Sequence, residues 1–403
     1  MRILFLHNNF PAQYRNLATL LARDPKNLVV FGTQAEAGEL PGVRKVLYKP
    51  HREPRKETHV YTRRIESAVI NAQAVYRMCT ALKNKGFTPD VVYGHSGWGP
   101  TLFTLDAFPD AKLISYFEWF YKAFGSDADF LRKDALTEDD ILQIRVKNIP
   151  VLMDLELCHR GVVPTRWQRD QFPDLFHPKL RVIHDGVDTD FFVPVEGAQL
   201  TLPDLDLSHA DEIITYVARG MEPYRGFPQF MEAVGIIQKR RPNIHVVVVG
   251  NDRVAYGRQL PDGQTYKQKM LAEVELDMDR LHFTGLLPYA QYLKVIQASS
   301  AHIYLTVPFV LSWSMIETMS TGALVIGSDT DPVREVIEDG KNGLLVDFFS
   351  PEQIADRVDE VLDHPDRMAA LRKAARETVL ERYALKDRLP ELVRNIEDTI
   401  NGA

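Results

Sequence analysis

The sequence predicts an α/β protein made of two doubly wound parallel sheets. Three observations carry that expectation. Short apolar runs alternate with longer stretches of helical spacing, as expected for strands covered on both faces by crossover helices. The alternation occurs in both halves of the chain. The 403 residues give room for two or three domains at about 150 residues each, enough for two full cores.

Taken in order, Ile3 to Leu6 reads as a buried strand and Tyr14 to Leu21 as a helix with Leu17, Leu20 and Leu21 on one face. Leu28 to Phe31 is a second strand, and Ile65 to Lys83 a long amphipathic helix. Val91 to Tyr93 is a strand entered from Pro89-Asp90, Lys112 to Tyr116 is another, and Leu157 to Val163 leads into a further one. The second half repeats the logic. Strands are expected at Ile213 to Ala218, His245 to Val249, Leu281 to Thr284, His302 to Thr306, Ala323 to Gly327 and Gly343 to Val346. Helices are expected at Phe227 to Arg240, Met315 to Ser320, Pro351 to Leu362, Pro365 to Arg382 and Leu389 to Thr399. Between the halves, Val193 to Glu212 is polar, Pro-containing and aperiodic, and reads as the break. The expected domains are therefore 1–192 and 193–384, with 385–403 a C-terminal helix able to pack back on the first.

Composition excludes some functions. The apolar fraction of 45% and charged fraction of 26% are those of an ordinary folded protein. A formal charge of −7 argues against a nucleic-acid partner. Met1 to Asp190 holds 26 Lys and Arg against 23 Asp and Glu; the remainder holds 22 against 32. The first half is thus slightly basic and the second clearly acidic. Two cysteines, Cys79 and Cys158, give no disulfide framework and fit a reducing cytoplasm. No apolar run approaches the ~18 residues of a membrane span. Met1 to Leu6 is too short for a signal-peptide core. A cytoplasmic location, with peripheral contact at the inner face of the membrane left open, is the expectation.

Two segments carry chemistry. Arg219-Gly220-Met221-Glu222-Pro223-Tyr224-Arg225-Gly226-Phe227 directly follows a predicted strand. Two cations flank a turn that opens a helix, where unpaired N–H groups add to the attraction for a diphosphate. Phe309 to Gly322 follows the strand His302 to Thr306. Ser312, Trp313 and Ser314 fall at a helix start able to bind an anion. Glu317, about a turn later, can accept hydrogen bonds from vicinal hydroxyls such as those of a ribose.

Together these segments resemble the nucleotide-sugar domain of family 4 (group 1) retaining glycosyltransferases. Ile183-His184-Asp185-Gly186-Val187-Asp188, Val247 to Gly250, Leu281-His282-Phe283-Thr284-Gly285, and Asp331 to Glu335 with Gly340 to Val346 match further family segments. The resemblance covers nearly all of 183–384. It implies the GT-B fold, two Rossmann-like domains facing a central cleft, and a nucleoside-diphosphate sugar donor, with UDP-sugar favoured. Position by position it implies donor contacts at Arg219, Arg225 (where the family usually has Lys), Gly250, His282, Phe283, Thr284, Ser312, Trp313, Ser314 and Glu317. Phe309 stands where the first Glu of the family's E-x7-E pair would be.

The first half is expected to be the acceptor side. Asn9 and Phe10 follow the first strand, and His95, Gly97 and Trp98 follow the strand at Val91. Ser115 to Tyr121 resembles the Y-E-F-Y-Y run of a bacterial subgroup. Glu118 lies in that run among aromatics, a setting that can raise a carboxyl pKa and let it assist an acceptor hydroxyl. It can equally be a rim carboxylate. Pro164 to Arg169 resembles a structural segment near the domain junction. The basic stretch Arg44 to Arg64 is either a solvated loop and helix start or a contact for an anionic acceptor or membrane surface. The Asp-x-Asp triplets at 127, 188, 204, 277 and 329 read as turns and caps, and no His/Cys cluster has metal-ligand spacing. No metal and no cofactor are expected.

The resulting expectation is an enzyme that transfers a sugar to a glycan or glycolipid hydroxyl with retention, using Arg219, Arg225 and Glu118. Two other readings keep the architecture: a nucleotide-sugar epimerase or phosphorylase, and an inactive nucleotide-sugar-binding partner of another transferase.

Overall fold

The runs with apolar side chains at every position become the central strands. The computed structural model describes residues 1–132 and 134–402, with Asp262 by its backbone alone. The chain divides into two units. Unit 1 comprises Met1–Phe124, Asp134–Asp185 and the chain from Lys386 onward. Its strands are β1 (Arg2–Leu6), β2 (Leu28–Thr33), β3 (Val43–Leu47), β4 (Val91–His95), β5 (Lys112–Tyr116), β6 (Arg160–Val163) and β7 (Leu180–Val182). They form one parallel sheet in the order β3-β2-β1-β4-β5-β6-β7. Helix α1 (Arg15–Ala22) lies in the cluster on one face with Leu392 and Ile396 of the last helix. Helix α2 (Arg63–Asn84) covers the other face through Val75, Met78, Cys79 and Leu82. Cys79 and Cys158 are both free and buried.

Unit 2 comprises Gly186–Leu385 and a short excursion that leaves unit 1 at Gly125 and ends before Asp134. After the hairpin β8 (Leu200–Leu202) and β9 (Leu205–Leu207) come β10 (Ile213–Gly220), β11 (His245–Asn251), β12 (Leu281–Gly285), β13 (Ala301–Tyr304), β14 (Val325–Ser328) and β15 (Leu344–Val346). Six of these form a parallel sheet in the order β12-β11-β10-β13-β14-β15. Val246, Val247 and Val248 are fully buried, each worth roughly 1.5–3 kcal/mol of apolar transfer.

Three features depart from the sequence reading. The change of unit falls at Asp185/Gly186, upstream of 192/193, because Val187 is already tied into unit 2. Its N–H donates to Tyr383 O and its carbonyl accepts the Leu385 N–H, both at 2.8 Å. Val193 to Glu212 is not a linker. Leu200, Leu202 and Leu207 of the β8–β9 hairpin bury against Val247, Val249 and Val295, so the short L-T-L and L-D-L alternations are strands. The excursion is the third. Phe130 stacks on Phe349 at 5.0 Å and meets Phe348 at 5.2 Å, and Asp127 accepts the Tyr224 hydroxyl at 2.8 Å. Among the described residues, no helix is long and apolar enough to cross a membrane.

Candidate functional site

Each parallel sheet has a switch point, where successive crossovers run to opposite sides and leave a crevice beyond the strand ends. In unit 1 it lies between β1 and β4, and in unit 2 between β10 and β13. The predicted site residues gather largely at these two places.

In unit 2 the turns after β10 and β13 are stitched together. The Val307 N–H donates to Tyr224 O at 3.2 Å. Gly226 has φ +60°, and a Cβ there would lie 2.4 Å from Leu305 Cβ, so the approach requires glycine. Arg225 is buried, with 5% exposure. Its Nη1 donates to Thr306 Oγ1 at 2.7 Å and Val310 O at 3.0 Å, with Tyr304 Oη at 3.4 Å. It is therefore a fixed internal cation rather than a surface arginine. Arg219 is the opposite: exposed at the end of β10, with no hydrogen-bond or ion-pair partner among the described residues. The two cations differ in kind, one preorganised and one available.

Aromatic rings surround the inner cation. Tyr256 lies 5.3 Å from the Arg225 guanidinium, and Phe309 packs edge-on against Tyr224 and Tyr256. Glu222 explains why Tyr256 is there. This carboxylate has no exposed surface. It accepts the backbone N–H groups of Ala255, Tyr256 and Gly257 at 2.9, 3.0 and 2.6 Å. The loop after β11 is thereby folded back over the end of β10. Gly250 and Gly220 permit this, since a Cβ would meet Ala218 O at 1.9 Å and Arg253 O at 2.5 Å respectively.

Ser312 caps the helix Trp313–Ser320, whose first turn carries no acidic residue. Its Oγ contacts Ser314 Oγ at 2.9 Å, and its N–H donates to Tyr304 Oη at 2.7 Å. The positive end of the helix dipole thus falls at the switch point, and Trp313 in its first turn is exposed. Glu317 is buried and accepts the hydroxyls of Tyr289 and Tyr292 at 3.0 and 2.9 Å. Burial raises its pKa while the two hydroxyls oppose that shift. A carboxylate so held keeps lone pairs for further donors.

In unit 1, β1 runs into His7, β4 ends at His95, and Glu118 follows β5. His95 stacks on Trp98 at 4.1 Å and meets His7 edge-on at 5.0 Å. His95 Nδ1 lies 2.8 Å from Ser96 O, so it carries the proton in that bond. Nε2 then faces Glu118 Oε2 at 3.6 Å. His7 Nδ1 lies 2.8 Å from Asn9 N and 3.1 Å from Asn9 O, so it accepts from the one or donates to the other according to its tautomer.

The turn that carries His95 and Trp98 is anchored from below. Asp154 is fully buried and accepts Ser96 Oγ at 2.7 Å, Thr101 Oγ1 at 2.6 Å and the Gly97 N–H at 3.1 Å. Burial pushes its carboxyl up to about 6 against those three donors. Gly97 and Gly99 have φ near +90°, and a Cβ on Gly99 would meet Ala68 O at 2.0 Å.

Some predicted residues lie elsewhere. His282, assigned with Phe283, Thr284 and Gly250 to the neighbourhood of the base, lies inside β12, 3.0 Å from His245 Nδ1, with its pKa lowered by burial and then by His245. Phe283 carries Lys267 over its ring at 4.0 Å, and Thr284 bonds to carbonyls of β11 and β12. Phe10 packs on Phe31 and beneath Lys45 rather than with His95, while Asn9 is exposed. Asp129, Asp188 and Asp277 act as caps and turns. Among the described residues, no three His, Cys, Asp or Glu side chains converge as a metal site. His7, Asp154 and Glu222 escaped sequence reasoning, although Glu222 sits between the two arginines that were noticed.

Residues 25–192 match the family model described as glycosyl transferase family 4 group, and residues 202–378 match glycosyl transferases group 1. A D-inositol 3-phosphate glycosyltransferase of Segniliparus rotundus is 24% identical over 197 residues, covering 49% of this chain and 42% of that protein. Alpha-maltose-1-phosphate synthase of Mycolicibacterium smegmatis is 21% identical over 221 residues, covering 53% and 55%. The chain spans about half the length of the curated relatives it matches. Among solved structures, sucrose-phosphate synthase from Thermosynechococcus elongatus has a TM-score of 0.76 at 17% identity over 100% of each chain. Anabaena HepE, in complex with UDP and glucose, has 0.72 at 13% over 99% of this chain and 100% of that one. These neighbours share the GT-B fold of two Rossmann-like α/β units.

Proposed function

We propose, from the premise that this chain belongs to the group 1 glycosyltransferases of family 4, that it moves a sugar from a nucleoside-diphosphate donor to the hydroxyl of a glycan or glycolipid, with retention of configuration. The observation that carries this reading is the pairing of Arg225, buried and fixed, with Arg219, exposed and without a partner among the described residues, at the β10/β13 switch point. A helix start without acidic residues adds its dipole at the same place. Such a site suits the growing charge of a departing diphosphate. Glu317, held by two tyrosine hydroxyls, is assigned to the ribose. UDP is favoured because HepE, which shares the fold, holds UDP and glucose.

In the reaction, the acceptor oxygen bonds to the anomeric carbon as the bond to the diphosphate oxygen breaks. The hydroxyl proton leaves to a diphosphate oxygen, and Glu118 is assigned to assisting the acceptor hydroxyl. No side chain is assigned as a covalent nucleophile, so retention follows from attack on the face the diphosphate leaves. The epimerase, phosphorylase and inactive-partner readings gain nothing from relatives named as transferases and sugar-phosphate synthases.

The test is a thermal-shift panel of UDP, GDP and ADP, each alone and as its sugar. One nucleotide at about 100 times its Kd should stabilise the protein by about 2.7 kcal/mol. A flat response to all three would refute the reading.

A further inference from the structure

The loop after β11, residues 251–258, is bent over the end of β10 by a single side chain of unit 2. Glu222 has no exposed surface. Its Oε1 accepts the N–H of Ala255 at 2.9 Å and of Tyr256 at 3.0 Å, and its Oε2 that of Gly257 at 2.6 Å. A Cβ on Gly257 would lie 3.0 Å from that Oε2 and 3.3 Å from the Tyr224 ring, so glycine gives the carboxylate its reach.

The same residue serves the inner cation through its main chain. The Glu222 carbonyl accepts the N–H groups of Arg225 at 3.1 Å and Phe227 at 3.2 Å. One residue therefore sets the spacing between the Arg225 turn and the loop. A carboxylate without water needs its three donors, and loses them only if the loop opens. Glu222 offers no surface to a ligand; what it presents is Tyr256.

Tyr256 is 37% exposed. Its ring lies 5.3 Å from the Arg225 guanidinium and 5.3 Å from the Phe309 ring, which in turn meets Tyr224 at 5.6 Å. Three rings thus make a corner beside the cation. Chain order says which part of a donor reaches that corner. Phe309, the helix start at Ser312 to Ser314, and Glu317 follow one another. In a nucleoside-diphosphate sugar the diphosphate stands between sugar and ribose. With the ribose assigned to Glu317 and the diphosphate to Arg225 and the helix start, the sugar is what remains for the Phe309 side.

A ring face and the C–H face of a pyranose both shed water on contact, and the gain follows the apolar area covered. We propose that Tyr256 is a specificity residue that packs on the C–H face of the donor's sugar, and that Glu222 is the positioning residue that holds it there. The substrate class is then a donor whose glycosyl group turns an apolar face to Tyr256 and Phe309. This rests on the transferase reading and adds sugar recognition to it.

The experiment compares Kd values by calorimetry for UDP against UDP-glucose, with GDP against GDP-mannose and ADP against ADP-glucose as further pairs. The pair whose nucleotide binds the wild type is the one read. The quantity is the ratio of its two Kd values, in which changes common to both ligands cancel. Tyr256→Ala should move that ratio about tenfold against the sugar, the loss of one well-packed aromatic contact. Tyr256→Phe keeps the ring and should hold the wild-type ratio within about twofold. Glu222→Gln sets an NH2 group against the loop amides. It should shift the ratio as Tyr256→Ala does, and should speed trypsin cleavage after the exposed Arg253 or Arg258 about tenfold. Urea denaturation and far-UV circular dichroism, both without ligand, check that each variant is folded. Glu222→Asp, its charge kept one methylene short, takes the place of Glu222→Gln if that variant does not fold. Nucleotide binding with an unmoved ratio in Tyr256→Ala would overturn the sugar contact alone. Equal loss of nucleotide and nucleotide-sugar in the Glu222 variant, or cleavage at the wild-type rate, would overturn the positioning role. A wild type that binds no nucleotide refutes the transferase reading, and this proposal with it.

Discussion

The two switch points share a topology and differ in chemistry. At β10/β13 the groups are cations, a helix start and a carboxylate held by tyrosines. At β1/β4 they are two imidazoles, a carboxylate and an indole, with a buried aspartate beneath. The first arrangement can hold negative charge but has little to offer a proton. The second gathers titratable rings and a carboxyl group, with His95 Nε2 3.6 Å from Glu118 Oε2. A doubly wound sheet fixes where a ligand sits; the few residues at the strand ends decide what is done to it.

The contrast between fixed and available groups can be broken by substitution. Arg225→Ala should have the largest effect. It removes three interactions of a buried guanidinium and should cost about 3 kcal/mol in urea denaturation, besides abolishing donor binding. Unchanged stability would show that Arg225 is not the internal fixture its contacts describe. Arg219→Ala comes next. Turnover should fall about 10²–10³-fold with Tm unchanged, because that side chain has no partner among the described residues; near-normal turnover would sink the diphosphate assignment. Glu118→Gln should lower turnover about ten- to a hundredfold. The nucleotide-induced thermal shift should stay as in the wild type, and its loss would mean the two switch points are not chemically separate.

Acid distinguishes the two units without any substitution. Burial holds His302 of unit 2 down to about 3, and burial followed by Arg388 holds His184 of unit 1 down to about 4. Unfolded histidine protonates near 6.5. Stability from each is therefore full above that pH and is lost as pH falls through the folded value, by about 3 kcal/mol at pH 4.5. Asp154 of unit 1 has the opposite sign. Its folded pKa of about 6 lies above the unfolded one, so it gains stability as pH falls and offsets roughly 2 kcal/mol of the His184 loss. Hydrogen exchange, corrected for intrinsic rate, should show β13 and β14 opening before β4 and β5 at pH 4.5. The reverse order would contradict the assignment of these charges.

Much of this was legible in the sequence, for identifiable reasons. β1, β4, β10 and β11 are apolar at nearly every residue because helices cover both faces. β3 and β7 were not legible: β3 is an edge strand with Arg44 and Lys45 in the middle, and β7 has three residues. The β8–β9 hairpin was lost for the same shortness. At the site, Arg219 and Glu317 were found by their spacing after strands. That Arg225 is buried was not legible, since a buried arginine and a surface one look alike in one dimension. Glu222 and Asp154 are of the same kind: each looks like a surface acid until backbone amides and hydroxyls are found pointing at it. The excursion at Gly125 is purely tertiary, since Phe130 finds Phe348 and Phe349 far along the chain.

The discontinuity of unit 1 bears on how the protein is made. Its sheet is synthesised first, but Leu392 and Ile396 of its core come after the whole of unit 2. On the ribosome unit 1 therefore waits, with the apolar surface around Leu17 and Leu21 uncovered, while unit 2 emerges and closes. The strip that begins at Gly125 has meanwhile to stay free for the later-made Phe348. A chaperone that shields the early sheet until the last helix arrives would raise the yield of folded chains more than one acting on unit 2.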